Sequence, residues 1–598
     1  MLLTFFLVLF VLLVNTALHR PWLESFMFAI ALAVGLTPEL LPMIVSVTLS
    51  RGAIRMSGKQ VIVKRLAAIH DLGQMDVLCT DKTGTLTEAR IRLERHVDSQ
   101  GRENERVLEL AYINSHFETG LKSPLDDAIL KHQEIDVSAW NKVDEVPFDF
   151  ERRRVSVVVA NAKQRLLVVK GAPEDILRLC TCYETGEEIK NLDDSTRQVA
   201  TQLFDSLGQE GFRVLAIAWR DVPPDHSHAV VDDETALTFA GFAAFLDPPK
   251  RDAASALSDL NHSGVAVKIL TGDNESVTQY VCATLGIPVT GLLLGSDIVK
   301  LDDAALSVKM ESTNLFCRVT PAQKNRIVTL LRRRNHTVGY LGDGINDAPA
   351  LHTADVGISV DSAADVAKDA ADLILLEHSL GAVHEGVLEG RRTFSNIQKY
   401  LMMGTSSNFG NMFSMAGATL FMPFLPMTPI QILLNNLLYD ISEIAIPFDD
   451  VEPEDVAKPR AWNIDFIRNF MLVLGPVSSL FDFLTFYVLL VVLHADEALF
   501  RTGWFIESLS TQVLVIFVIR TRQNPFRSGP NRLLLVTSLS IVLLAIFLPL
   551  LPIGRYFGFV APPVKYFVIL LLMVIAYLTL VEFVKRWFYR HYGQGQKS

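Results

Sequence analysis

Three polar clusters follow short apolar runs in the middle of the chain, and their residue types suit phosphoryl chemistry. Asp81 follows "MDVLCT", Thr271, Gly272 and Asp273 follow "VAVKIL", and Asp343 follows "HTVGYLG". Short apolar runs that end in small or acidic residues are typical of βα units. Because parallel strands end at one edge of a sheet, we expect the three clusters to meet there.

The residues of these clusters predict a magnesium and phosphate site. Asp81 and Asp343 provide two carboxylates, and Mg²⁺ binds one or two carboxylates together with phosphate oxygens and water. Thr271, Gly272 and Lys324 are expected to hold phosphate oxygens. An aspartate attacks a phosphoryl group only where charge is neutralised around the transition state, and the metal and the lysine supply that neutralisation.

Asn346 and Asp347 follow Asp343 closely and are expected to orient the metal shell and Asp81. A single aspartate in a glycine-rich turn is more often a turn former than a catalytic group. The prediction therefore depends on the combination of three clusters in a workable order.

The chain has 598 residues, half of them hydrophobic, and the apolar ones are concentrated near both ends. A helix of about 20 apolar residues crosses a bilayer core. The apolar runs predict about eight transmembrane spans, with the rest of the chain an α/β cytoplasmic part. The predicted spans are 1–18, 24–48, 398–422, 429–448, 469–493, 501–519, 533–553 and 564–584.

The charge distribution predicts how the spans are oriented, and charge and cysteine content together argue against several classes of protein. The basic segments 520–532 and 585–598 would lie on the cytoplasmic side together with both termini. The first apolar run lacks the basic start and cleavage site of a signal peptide. The net charge of −11 is not accompanied by a basic patch for nucleic acid. Five cysteines, all in the predicted cytoplasmic part, argue against a disulfide framework.

Polar residues inside the predicted spans form a candidate cation site. Glu39 lies between two prolines in an apolar run, where freed backbone carbonyls can bind a cation. Asn408, Asn411, Asn436 and Asp440 come from later spans, and the last two share a helix face. This set offers only oxygen ligands, which suit Mg²⁺ or Ca²⁺ and disfavour soft metals.

Two further acids, Asp482 and Glu507, also fall in predicted spans and have no assigned role.

"DKTGTLT", "TGDN" and "GDGINDAPAL" resemble the phosphorylation-domain motifs of P-type cation-transporting ATPases, in the order of that family. The resemblance implies that Asp81 receives a phosphoryl group from ATP with the help of Lys82 and Thr83. It also implies that Asp343 and the backbone of Thr83 bind catalytic Mg²⁺, with Asp347 beside them. The implied fold is a haloacid-dehalogenase-like phosphorylation domain with an inserted α+β nucleotide-binding domain.

The segments 147–159 and 168–177 resemble the nucleotide-binding domain of the same family. By this resemblance, Phe150 stacks on adenine, Lys170 and Gly171 line the pocket, and Arg152 and Arg213 meet phosphates. "LDPPK" resembles the hinge that returns to the phosphorylation domain. The implied domains are membrane helices 1–50, phosphorylation domain 51–90 and 244–392, nucleotide-binding domain 91–243, membrane helices 393–590 and a cytoplasmic tail 591–598.

"GLTPELLPMIV" and "LLNNLLYDISEIAIPFDD" are similar to segments of bacterial magnesium-transporting P-type ATPases. That similarity implies ATP-driven Mg²⁺ import by a multi-pass protein of the bacterial inner membrane. The ligands alone leave a Ca²⁺ pump or another hard-cation pump open.

The family pattern places an actuator domain and two membrane helices before residue 1. We therefore expect an N-terminally truncated pump that phosphorylates itself and then stalls, or one that depends on a missing portion or partner chain. "ETGEEIK" (184–190) is interpreted as a hairpin turn. Two other classes, a membrane-tethered phosphatase and a protein with a decayed ATPase part, fit less well, because the nucleotide-binding and catalytic residues are all present.

Overall fold

A computed structural model describes residues 2–35, 40–88, 90–120, 123–149, 152–186, 188–224, 228–376, 379–460 and 462–592. The chain divides into two compact units. The first, called the membrane unit below, contains Met1–Met75 and Glu385–Ser598, and the second, the cytoplasmic unit, contains Asp76–His384.

The membrane unit begins with three helices, one short strand and a short helix. These are α1 (Leu2–Ala17), α2 (Trp22–Gly35), α3 (Leu41–Ser57), β1 (Val61–Val63) and α4 (Ala68–Gln74). The predicted span 24–48 therefore contains most of α2 and the start of α3. Glu39 lies outside the described residues.

The cytoplasmic unit contains a parallel sheet whose strands are short and almost wholly buried. Its strands are β2 (Val77–Thr80), β11 (Ala266–Leu270), β12 (Leu292–Leu294), β13 (Leu315–Cys317), β14 (Val338–Leu341), β15 (Val356–Val360) and β16 (Leu373–Leu375). Within this unit the order is β16-β15-β14-β2-β11-β13-β12. Strands buried on both faces read as continuous apolar runs, which explains the sequence of β2.

Helices cover this sheet and connect its parallel strands. They are α9 (Ala253–His262), α10 (Glu275–Thr284), α11 (Gly295–Lys300), α12 (Asp303–Glu311), α13 (Pro321–Arg333), α14 (Ala348–Thr353) and α15 (Asp365–Ala370). Thr320 caps α13: its hydroxyl accepts from the Gln323 amide at 3.3 Å, and Pro321 occupies the first turn. This start places Lys324 on the first turn of the helix.

A second sheet of the cytoplasmic unit is mainly antiparallel and comes from the segment between β2 and β11. Its strands are β3 (Arg92–Val97), β4 (Asn141–Asp149), β5 (Arg154–Ala160), β6 (Arg165–Gly171), β7 (Cys180–Thr185), β8 (Glu188–Asn191), β9 (Arg213–Asp221) and β10 (Leu237–Leu246). Helices α5 (Glu105–Phe117), α6 (Pro124–His132), α7 (Pro173–Leu179) and α8 (Asp194–Gln209) pack on it. This sheet and its helices come from the segment between the first and second polar clusters, where the sequence predicts an α+β nucleotide-binding domain, and that domain assignment stays a prediction.

The C-terminal part of the membrane unit is helical. Its helices are α16 (Leu380–Phe421), α17 (Pro429–Glu443), α18 (Pro453–Val456), α19 (Ile464–Tyr487), α20 (Glu497–Leu514), α21 (Ile516–Ile519), α22 (Arg532–Phe547) and α23 (Val564–Tyr592). Helices α16 and α19 approach closely at Gly410. A Cβ added to this residue would lie only 2.7 Å from the Gly475 carbonyl oxygen.

Four helices of the described residues are long and apolar enough to cross a membrane. They are Ile464–Val492, Glu497–Ile519, Arg532–Leu550 and Val564–Tyr592, and they coincide with the last four predicted spans. Val8–Ala17 and Trp22–Gly35 are shorter apolar helices. The predicted span 398–422 overlaps the second half of α16, and 429–448 contains the 15 residues of α17.

Candidate functional site

The parallel sheet brings the three predicted clusters to one edge. β2 pairs in parallel with both β11 and β14, so their carboxyl ends lie side by side. The Asp81 amide donates to the Leu341 carbonyl oxygen at 3.1 Å. Its Oδ1 accepts from the Lys82 amide at 2.6 Å, and its Oδ2 accepts from Lys324 Nζ at 2.7 Å.

Lys324 joins Asp81 to Asp347. Its Nζ donates to Asp347 Oδ1 at 2.8 Å, and the Tyr340 hydroxyl donates to the same oxygen at 2.8 Å. Asp347 Oδ2 accepts from the Gly344 amide at 3.2 Å. A Cβ on Gly342 would lie 2.7 Å from Asp347 Cβ, so only glycine allows this approach. Protein donors occupy both carboxylate oxygens, which fits an orienting role for Asp347.

The second cluster contacts the first through a lysine. Lys82 Nζ forms an ion pair with Asp273 Oδ2, and the Asp273 amide donates to Thr271 Oγ1 at 3.1 Å. Arg213 Nη1, at the start of β9, lies 3.9 Å from Asp273 Oδ1. A residue of the inserted sheet therefore approaches the sheet edge that carries Asp81.

The turn after Asp81 is held in place by contacts with Asp247 and Lys250. Gly84 has a φ of +74°, which favours glycine. Lys250 Nζ donates to the Gly84 carbonyl oxygen at 2.7 Å. The Thr87 hydroxyl donates to Asp247 Oδ2 at 2.5 Å.

Burial sets the proton affinities of these carboxyl groups. Burial raises the pKa of Asp81 to about 6, against the lowering effect of Lys324. Burial and then Asp347 raise the pKa of Asp343. Although burial opposes the charge of Lys324, Asp81 and Asp347 raise its pKa above the ordinary value. The Lys324 ammonium therefore stays charged beside the nucleophile candidate.

The chemistry of this donor set fits a divalent cation. Lys324 is the ammonium that hydrogen-bonds to Asp81 and Asp347, and Asp343 adds a third carboxylate near Asp347. Burial and then Asp347 raise the pKa of Asp343, so a positive charge close to its carboxylate would favour the ionised form. A hard cation with oxygen ligands, such as Mg²⁺, matches this excess of negative charge.

The remaining predicted catalytic residues lie in the same region. Thr83 is partly buried in the turn after Asp81, Thr271 is buried at the end of β11, and Gly272 and Asn346 are exposed. Their assigned roles stay predictions.

The predicted nucleotide residues lie in the inserted sheet, but two of them are paired within the protein. Lys170 Nζ donates to Ser115 Oγ and Glu118 Oε2, both at 2.9 Å, and also to Asp126 Oδ1. Lys170 is 5% exposed. A Cβ on Gly171 would lie 2.5 Å from Arg154 Cβ, so glycine is required for packing there.

Arg152 Nη1 donates to both carboxylate oxygens of Glu234 at 2.8 Å. Arg154 Nε also donates to Glu234, at 2.5 Å. Phe150 lies outside the described residues, so its predicted contact with adenine stays a prediction.

The described part of the predicted cation site lies on α16 and α17. Asn411 is 2% exposed, and its Oδ1 accepts from the Ser508 hydroxyl at 3.2 Å. Asn436 Nδ2 is buried without a hydrogen-bond partner among the described residues. A Cβ on Gly35 would lie 2.5 Å from Asn436 Nδ2, so the end of α2 also reaches this region. Asn408 and Asp440 are partly buried.

The structure adds polar groups that the predicted sites left out. On α17, both polar atoms of the Asn435 side chain and Glu443 Oε1 are buried without partners among the described residues. Tyr439 lies against Glu443. The acidic character of Glu443 is visible in the sequence, but its burial depends on packing against α16. At the sheet edge, Tyr340 was missed because nothing in a strand of apolar residues marks its hydroxyl as a partner of Asp347.

A parallel sheet with an Asp-Lys-Asp cluster at its carboxyl edge, joined to long apolar helices, is characteristic of membrane ATPases that form an aspartyl-phosphate. Two family models match the chain: "Cation transporting ATPase, C-terminus" over residues 424–587 and "P-type ATPase, cytoplasmic domain N" over 85–252. Together they match more than half of the chain. The chain belongs to the P-type cation-transporting ATPase family.

Relatives of known name agree with this assignment. The chain is 48% identical to "Magnesium-transporting ATPase, P-type 1" of Escherichia coli K12 over 594 residues, which cover 98% of this chain and 66% of the relative. The protein of that name in Salmonella typhimurium strain 14028s is also 48% identical, with the same shares covered. "Calcium-transporting ATPase 1" of Bacillus cereus is 28% identical over 95% of this chain and 69% of its own length.

The predicted similarity to bacterial magnesium-transporting P-type ATPases is confirmed. The chain spans 66% of the length of these magnesium-transporting relatives, slightly less than two thirds.

Proposed function

We propose that the chain takes part in ATP-driven transport of Mg²⁺ across the bacterial inner membrane into the cytoplasm, through an aspartyl-phosphate at Asp81. The observation that carries this proposal is the bridge from Lys324 to both Asp81 and Asp347 at the carboxyl edge of the parallel sheet. The 48% identity to magnesium-transporting relatives supports Mg²⁺ as the transported ion.

In the phosphorylation step, an Asp81 carboxylate oxygen forms a bond to the terminal phosphorus of ATP while the bond to ADP breaks. Lys324 holds the carboxylate and offers its positive charge to the transferring group. Asp347 accepts from Lys324 and so fixes its position, and the Tyr340 hydroxyl in turn holds Asp347. Lys82, Thr83, Thr271 and Gly272 are proposed to surround the phosphoryl group, and Asp273 positions Lys82.

Asp81, Asp343 and the backbone of Thr83 are proposed to hold the catalytic Mg²⁺, with Asn346 and Asp347 orienting the site. The bound cation supplies charge neutralisation for the transferred phosphoryl group. Within this chain, burial of the carboxylates at the sheet edge makes that neutralisation effective, because charges interact more strongly away from water.

The inserted sheet is proposed to be the nucleotide-binding domain, residues 91–243, within a haloacid-dehalogenase-like phosphorylation domain of residues 51–90 and 244–392. Arg213 is the residue that supports a link between the two, since it lies beside Asp273. Lys170 and Arg152 are proposed to shape the nucleotide pocket through their buried acidic partners.

The membrane unit is proposed to cross the bilayer eight times and to bind the transported cation with Glu39, Asn408, Asn411, Asn436 and Asp440. Buried amide and carboxyl atoms without partners on α17 support this position. Polar groups of this kind are expensive inside a membrane and mark ion pathways.

Calorimetric titration of the purified chain with Mg²⁺ and with Ca²⁺ tests the cation assignment. Asp440→Asn is expected to abolish cation binding in the membrane unit and to leave binding at the sheet edge intact. Asp343→Asn is expected to abolish binding at the sheet edge and to leave binding in the membrane unit intact. Asp465→Asn, at an exposed acid, serves as the control. Identical titrations of wild type and Asp440→Asn, or tighter binding of Ca²⁺ than of Mg²⁺, would contradict the proposal.

A further inference from the structure

Two buried acids contact each other on helices that carry none of the predicted cation ligands. Asp482 on α19 is 3% exposed and Glu507 on α20 is 1% exposed. Their carboxyl groups lie within hydrogen-bonding reach of each other. The pair belongs to the apolar interior of the membrane unit, where a charge without a partner is expensive.

Asp482 is surrounded by neutral donors. The Ser414 hydroxyl of α16 donates to its Oδ2 at 2.6 Å, and the Trp504 indole N–H of α20 donates to its Oδ1 at 2.8 Å. Two donors on two oxygens are the environment of an ionised carboxylate, which accepts but does not donate.

Glu507 is less well supplied with donors. The Thr485 and Thr511 hydroxyls lie beside its carboxyl group, but they donate to the backbone carbonyl oxygens of Phe481 and Glu507. Its Oε2 is buried and has no hydrogen-bond partner among the described residues. Two ionised carboxylates in contact repel each other and cannot form a hydrogen bond. A proton on Glu507 removes the repulsion and gives the pair the donor that it lacks. The orphaned oxygen is therefore the sign of a bound proton.

The neighbouring helices bring few titratable groups to the pair. From α23, Tyr566 and Tyr577 face the two acids. α17 packs against α20 and carries the acids Asp440 and Glu443. The only titratable side chain of α22 is Arg532 at its first position. The cationic groups that would neutralise two buried carboxylates are absent from this set.

We propose that Asp482 and Glu507 form a proton-binding site of the membrane unit, in which Glu507 carries the proton and donates it to ionised Asp482. Ser414 and Trp504 hold Asp482 in its acceptor state. In a cation pump this proton would be a counter-charge held within the bilayer. That consequence rests on the proposed function, whereas the presence of the proton is argued from the contacts of the two acids alone.

The surroundings favour a proton over a metal cation. Hydrogen donors take one lone pair on each oxygen of Asp482. The remaining lone pairs can accept a hydrogen bond from Glu507, but they supply few of the many oxygen ligands that Mg²⁺ or Ca²⁺ requires. The Trp504 ring packs edge-on against Phe486 at 4.7 Å, and Phe486 packs against Phe500 at 5.4 Å. These aromatic rings adjoin Asp482 through Trp504 and offer no oxygen ligand to a hard cation such as Mg²⁺.

Infrared spectroscopy of the full chain in lipid nanodiscs tests the proposal, because a protonated carboxylic acid has a carbonyl band separate from that of a carboxylate. Wild type is compared at neutral pH with Glu507→Gln, Asp482→Asn and the exposed control Asp465→Asn. Glutamine retains an N–H donor for Asp482, so Glu507→Gln is expected to fold.

The proposal predicts an acid band that Glu507→Gln abolishes, Asp482→Asn shifts and Asp465→Asn leaves unchanged. Identical spectra for wild type and Glu507→Gln would overturn it. An acid band that added Mg²⁺ abolishes would also overturn it, because the pair would then bind the metal. Phosphorylation by ATP is measured on the same samples, so a chain with the acid band but no label would refute only the proposed function.

Discussion

Replacing Lys324 with methionine is predicted to slow phosphorylation of Asp81 by two to three orders of magnitude. Methionine has a similar length and keeps the packing of α13 but removes hydrogen bonds of 2.7 and 2.8 Å to Asp81 and Asp347. A hydrogen bond to a charged group contributes about 1.5–3 kcal/mol. Loss of a donor that stabilises a transition state costs about 2.7–4 kcal/mol, or about 10²–10³ in rate.

The same substitution is predicted to change the pH dependence of phosphorylation. Attack requires the Asp81 carboxylate, so the rate should fall as the pH drops through the pKa of about 6. Lys324 lowers that pKa, and its removal should therefore move the fall in rate to higher pH.

The assay follows incorporation of label from γ-labelled ATP into acid-quenched protein over time. Lys309→Met, an exposed position on α12, is the matched control, and circular dichroism checks that both variants are folded. A folded Lys324→Met protein that labels as fast as Lys309→Met would refute the role assigned to Lys324.

Two further predictions concern Lys170, which is buried, and His70, which is partly buried, both outside the sheet edge. Lys170→Met should lower the free energy of unfolding of the cytoplasmic unit by about 3–5 kcal/mol, because Glu118 and Asp126 lose their buried partner. Denaturant unfolding measures this loss of stability. A Lys170→Met protein with unchanged stability and altered ATP affinity would contradict the prediction. Burial lowers the pKa of His70, and the Trp462 indole N–H donates to its Nε2 at 2.9 Å, which requires a neutral ring. Stability should therefore be fully present above the ordinary pKa of 6.5 and decline on acidification below it. Thermal unfolding at several pH values should show this decline in wild type and a flatter profile in His70→Gln, whereas equal profiles would refute it.

The meeting of the three polar clusters at one sheet edge was predictable from the sequence, because each strand and the polar residues that follow it are visible within one short segment. Each of the strands β2, β11 and β14 is a short apolar run that ends in a polar cluster, and parallel pairing then places the ends together. The contact of Lys324 with Asp81 spans 243 positions. The sequence predicted Lys324 only as a residue that holds phosphate oxygens, and its direct contact with Asp81 became visible in the structure.

Other contacts depend on packing that the sequence does not display. The motif containing Lys170 indicates a nucleotide-binding domain, but nothing in it identifies Glu118 and Asp126 as partners. Asp482 and Glu507 stand out as acids in apolar helices, whereas their contact depends on how α19 and α20 rotate against each other. Helix periodicity alone does not fix that rotation.

The central claim is that Asp81 accepts the terminal phosphoryl group of ATP. The most direct test incubates the purified chain with γ-labelled ATP, with and without Mg²⁺, and quenches the reaction in acid. We predict label that requires Mg²⁺, is released by hydroxylamine as expected for an acyl phosphate, and is absent from Asp81→Asn. Label of equal amount in Asp81→Asn, or no label in the folded wild-type chain, would contradict the account.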